Sequence, residues 1–118
     1  DSRLRQFAMD LKRDVLPPSP QRIFIVHDSE GHNIARLRLQ YHLLPHNIYN
    51  FGKKPKRRFA RDGDYIILFG AVPGVTYRPS ETALRIGEGK SIPAQAVHRS
   101  TSASVFRVLP PGGKGATP

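Results

Sequence analysis

The sequence predicts one small α/β domain, a mixed sheet of four to five strands carrying a βαβ unit and two helices. Three observations lead there. A fully apolar run, Ile23–Val26, is followed by an amphipathic segment at 32–44 and a second β-rich run at 46–51. Another fully apolar run, Tyr65–Phe69, lies downstream. Strands apolar at every position suit burial on both faces, as in a parallel sheet covered by helices. The 118 residues fit the usual size of a single core.

The first element is a helix over 1–16, where Leu4, Phe7, Ala8, Leu11 and Val15 recur at steps of three and four and form one apolar stripe. Pro17-Pro18-Ser19-Pro20 ends it, because proline lacks the N–H donor and forces its predecessor out of helical geometry. Residues 17–21 then read as a stiff linker and 22–109 as the α/β domain proper. The first strand spans 22–27. The acidic turn Asp28-Ser29-Glu30-Gly31 offers capping chemistry for a helix over 32–44, with Ile34, Leu37, Tyr41 and Leu44 on one face and Pro45 as its stop. Strand, helix and strand 46–51 make the βαβ unit. Strands are also expected at 65–70, 82–86 and 104–109. Residues 71–79, punctuated by Pro73-Gly74 and Pro79, read as loop, Gly87–Lys90 as a tight turn, and 91–99 has no clear pattern. The tail 110–118, PPGGKGATP, has nothing to bury and is expected to be disordered.

Charge narrows the partner. Nineteen Lys and Arg against nine Asp and Glu give a formal net charge of +10. That excess points to an anionic partner, either lipid headgroups or nucleic acid. It concentrates in the loop 52–64, where Lys53, Lys54, Lys56, Arg57, Arg58 and Arg61 surround Phe59, with Tyr49 and Phe51 just upstream. Cations interleaved with aromatics suit a phosphate backbone with base stacking, and an anionic headgroup layer would select the same cations.

The remaining chemistry is thin. There are no cysteines, which excludes disulfides, thiolate catalysis and zinc ribbons. Gly89-Lys90-Ser91 matches the end of a phosphate-binding P-loop, but Leu84 stands where the first glycine belongs, and a hairpin turn explains the same residues. Asp28, Ser29 and His32 occupy a turn at the C-terminal edge of a strand, where ligands of open α/β sheets tend to bind, yet the dinucleotide glycines are missing and helix capping accounts for the turn. The five histidines meet no metal-ligand spacing and read as scattered surface residues; no metal and no cofactor is expected. No nucleophile elbow appears, and the close acid pairs Asp28/Glu30 and Asp62/Asp64 fall in turns. No catalytic residue is therefore assigned.

The tract A-R-L-R-L-Q-Y-H-L-L-P-H-N-I-Y at 35–49, followed by G-D-Y-I-I-L-F at 63–69, resembles the soluble C-terminal regions of bacterial polytopic membrane proteins similar to lipid-linked-sugar glycosyltransferases. Arg36, Arg38, Tyr41, Leu43 and Pro45 carry the match. The resemblance implies an accessory domain next to the membrane, on its extracytoplasmic side, partnered by the membrane-embedded part of the same polypeptide. A start at Asp1 without an initiator methionine fits an excised or processed piece. The preference of basic loops for the inner face points instead to the cytoplasm. Three functions follow: a non-catalytic membrane-proximal accessory domain, a small nucleic-acid-binding module, and a small enzyme with its site at the 28–32 turn.

Overall fold

The apolar runs of the sequence become the inner strands of a seven-stranded mixed sheet. The computed structural model describes residues 2–28, 38–53, 55–101 and 103–110. Helix α1 (Ser2–Asp14) leads into β1 (Arg22–Val26), residues 38–42 are helical, and six strands follow: β2 (Asn47–Gly52), β3 (Tyr65–Phe69), β4 (Val75–Arg78), β5 (Ala83–Ile86), β6 (Ser91–Arg99) and β7 (Ala103–Val108). The sheet order is β2-β1-β3-β7-β6-β5-β4. β1 pairs parallel with both β2 and β3, and every other pair is antiparallel.

Alternation along each strand sorts side chains to two cores. On one face Ile23 and Ile25 of β1, Ile67 of β3 and Val105 of β7 pack under Phe7, Ala8 and Leu11 of α1 and under Leu39 and Leu43. The apolar stripe of α1 therefore does what its spacing predicts. On the other face Phe24, Val26, Ile66 and Phe106 meet Leu84 of β5 and Ile92 of β6. The β4–β5 hairpin thus turns back over the sheet and forms a third layer. Strand β6 makes this possible, since Ser91–Pro93 pair with β5 while Ala94–Arg99 pair with β7.

Five of the seven strands stand where the sequence places them, and the count of four to five is corrected. β4 lies in the stretch read as loop. Its four residues alternate between half-buried and exposed, and flanking Gly74 and Pro79 mask so short a pattern. β6 contains Pro93, which a strand tolerates only where no ladder bond needs its nitrogen. Its carbonyl accepts the Leu109 N–H at 2.9 Å, so its ring nitrogen faces the end of β7, where pairing stops. Of the helix expected at 32–44, residues 32–37 lie outside the described residues, as do 111–118 of the expected tail. Among the described residues no helix is long and apolar enough to cross a membrane.

Candidate anion-binding site

The basic loop joins β2 to β3 and is anchored at both ends. At its start the Gly52 carbonyl accepts the His27 N–H at 2.9 Å, and Gly52 turns the chain at φ 65°, where a side chain would be strained. At its end the buried Asp64 carboxylate accepts the Arg61 N–H at 2.8 Å and lies 3.6 Å from the Arg22 guanidinium. The other terminal nitrogen of Arg22 donates to the Phe59 carbonyl at 3.0 Å. Between the anchors, Arg57–Phe59 form a single 3-10 turn, closed by Phe59 N–H to the Lys56 carbonyl and Ala60 N–H to the Arg57 carbonyl. A turn this tight leaves no room for side chains inside it, so Lys56, Arg57, Arg58 and Phe59 all point outward and are exposed.

Opposite lies the β5–β6 turn, where Gly87 and Gly89 take positive φ of 102° and 72° and the Lys90 carbonyl accepts the Ile86 N–H at 3.0 Å. Loop and turn enclose a cleft of about 480 Å³ lined by Pro55, Lys56, Arg57, Arg58, Ile86, Lys90 and Ser91. A second hollow of about 320 Å³ continues from it past Lys53 toward Pro73 and Gly74. Among the described residues no carboxylate pairs with Lys56, Arg57, Arg58 or Lys90. Four cations held around one concavity raise the local potential for anions above what any one of them does in open water.

The six cations expected in the loop divide. Lys56, Arg57 and Arg58 line the cleft, with the Arg58 guanidinium also 4.9 Å above the Phe59 ring. Lys53 is largely exposed and sits 3.6 Å from Asp28, a pairing that contributes little in solvent. Arg61 does not line the cleft, and Lys54 lies outside the described residues. Lys90 was not among the expected cations. The only signal for it was the incomplete P-loop ending, and a hairpin turn is what those residues form.

Beside the cleft runs a groove of about 440 Å³ lined by Arg22, Phe24, Tyr49, Asn50, Phe51, Lys56 and Phe59. Phe24 stacks on Phe51 at 4.2 Å between ring centres and on Tyr49 at 5.3 Å. The Arg22 guanidinium lies 5.2 Å from the Phe24 ring centre and 5.9 Å from that of Tyr49. Lys56 lines both groove and cleft.

Of the 28–32 turn, only residue 28 is among the described residues. Asp28 is exposed beside Lys53, while Ser29 and His32 lie outside the described residues. Among the described residues no three His, Asp or Glu gather as metal ligands would. Two histidines correct the expectation of surface placement, since His27 and His46 are buried. The Asn50 Oδ1 accepts the Gly52 N–H at 2.8 Å and lies 2.9 Å from His27 Nε2, so that nitrogen carries the proton. His46 Nδ1 accepts the Gln21 N–H at 2.9 Å. Burial pushes the His46 imidazole below its ordinary value, and the Lys12 charge pushes the same way. Both side chains hold the chain together at strand ends. Of the residues that carry the resemblance, Arg36 lies outside the described residues, Leu43 is buried, and Arg38 and Tyr41 are exposed. Comparison with models of protein families, with curated proteins and with solved structures returns no match.

Proposed function

We propose that these residues form a non-catalytic accessory domain of a larger membrane protein, which holds phosphate groups of an anionic partner in the cleft between the basic loop and the β5–β6 turn. One observation carries this reading: Lys56, Arg57, Arg58 and Lys90, none paired to a carboxylate among the described residues, face one cleft of about 480 Å³. Lys and Arg gathered in this way recognise phosphate by charge and, for Arg, by its planar pair of donors. The resemblance, which spans roughly residues 17–70, supports a place beside the membrane, where phospholipid headgroups are one source of phosphate.

Vesicle flotation tests it. The chain is expected to float with vesicles of phosphatidylcholine mixed with phosphatidylglycerol, and not with phosphatidylcholine alone. Binding should weaken steeply with added salt, since exposed charges are screened over about 10 Å at 0.1 M ionic strength. The combined variant Lys56→Ser, Arg57→Ser, Arg58→Ser, Lys90→Ser should stay at the bottom of the gradient. Equal flotation of this variant and the parent chain overturns the cleft as the site. A second reading, a nucleic-acid-binding module, is favoured by the aromatic groove beside the cleft. Tighter binding to a single-stranded oligonucleotide than to anionic vesicles at equal salt selects it.

A further inference from the structure

The aromatic groove has a geometry that phosphate alone does not need. Its floor is the stacked pair Phe24 and Phe51, and Tyr49 and Phe59 are 44% and 46% exposed along it. Arg22 is fixed by two contacts, to Asp64 at 3.6 Å and to the Phe59 carbonyl at 3.0 Å, and its guanidinium is held over the rings of Phe24 and Tyr49. Exposed aromatic rings cost hydration without a partner, and a guanidinium held over ring faces offers a planar guest both a surface and a charge. The half-exposed rings, the rigid cation and the shared residue Lys56 together define a slot next to a phosphate-seeking cleft.

We propose that this groove is a stacking subsite for a nucleobase, and that the ligand of the combined site is a nucleotide unit, its base in the groove and its phosphate in the cleft across Lys56. The inference rests on the cleft being a phosphate site. A base meets the aromatic rings through its π-face and needs no pattern of hydrogen bonds, so the slot should accept any of the bases. Asn50, at the groove's side, lends its Oδ1 to Gly52 and His27 and so is not free to read a base edge with that oxygen. The unit has two sources, a free nucleotide or a stretch of single-stranded nucleic acid.

Calorimetry on the full chain separates the parts. Adenosine diphosphate is expected to bind about five- to a hundredfold tighter than inorganic pyrophosphate, the range that stacking of one base supplies. The variant Tyr49→Ala, Phe59→Ala should lose that difference and keep its affinity for pyrophosphate; both side chains are half exposed, so the core is left intact. Pyrophosphate binding with no gain for the diphosphate nucleotide overturns the stacking subsite while leaving the phosphate cleft standing. Binding of neither removes both. A short oligo(dT) that binds tighter than thymidine diphosphate identifies single-stranded nucleic acid as the source, and the reverse order identifies the free nucleotide. A Tyr49→Ala, Phe59→Ala variant that retains the full preference for the nucleotide places the base elsewhere and refutes the assignment.

Discussion

Replacing Asp64 by Ala should remove a buried carboxylate that ties the basic loop to the sheet. Its side chain is 9% exposed, receives the Arg61 N–H at 2.8 Å and sits 3.6 Å from the Arg22 guanidinium. At an effective dielectric of about 20 the bare attraction at that separation is roughly 4–5 kcal/mol. Most of it is cancelled by desolvation, and Arg22, with a side chain 30% exposed, recovers some hydration when left alone. The pair then contributes about 0.5–1 kcal/mol. The hydrogen bond from the Arg61 N–H to a charged acceptor adds about 1.5–2 kcal/mol. Asp64→Ala should therefore cost about 2–3 kcal/mol, and Asp64→Asn, which keeps a neutral acceptor of the same shape, about 1–2 kcal/mol. Urea unfolding followed by far-ultraviolet circular dichroism measures both. Because Arg22 also shapes the aromatic groove, Asp64→Ala should weaken nucleotide binding in the folded protein as well. A loss of less than about 0.5 kcal/mol for Asp64→Ala would show that the carboxylate is exchanged for water at no cost, and the account of the loop anchor would fail.

Other expectations follow from single sites. Leu11 is fully buried between α1 and the sheet, so Leu11→Ala should cost about 2.5–5 kcal/mol in the same urea experiment. Burial holds His46 below its ordinary value of 6.5, so the unfolded chain takes up the proton first as pH falls. Stability should then drop as pH falls through the unfolded value and level off once the folded value is passed. His46→Gln should have a shallower stability slope between about pH 7 and about pH 5 than the parent chain, measured by unfolding at each pH. Thr82, a β-branched residue at φ 49°, carries backbone strain between β4 and β5; Thr82→Gly should raise stability by about 0.5–1 kcal/mol, read as a higher melting temperature.

How much of this was legible depended on whether the signal was local. Ile23–Val26 and Tyr65–Phe69 are apolar at every position because β1 and β3 are covered on both faces, and a window of five residues reveals that. Leu4, Phe7 and Leu11 announce their helix in the same way. Val75–Arg78 has only two inward positions, too few for a period, and Pro93 speaks against a strand unless the end of its neighbour β7 is known. The site divides along the same line. Lys56, Arg57 and Arg58 cluster in sequence, whereas Lys90 joins them only because β5 and β6 fold back over the sheet. Asp64 read as an ordinary turn acid, and nothing near it in sequence showed that it would be buried against Arg22. His27 and His46 looked like surface residues because their partners, Asn50 and Gln21, are more than twenty positions away.

The order of the strands carries a consequence for how the chain assembles. β4, β5, β6 and β7 follow one another through short connections, and each pairs with the next. β1 is different: both its neighbours, β2 and β3, come later in the chain, and β3 then needs β7 on its far side. Loop closure over such separations comes before any pairing energy is gained, so the C-terminal meander should form early and the docking of β1 should set the folding rate. Until that docking, Ile23–Val26 has two open edges and four apolar side chains. The early chain is therefore most exposed to aggregation at the strand that ends up most protected.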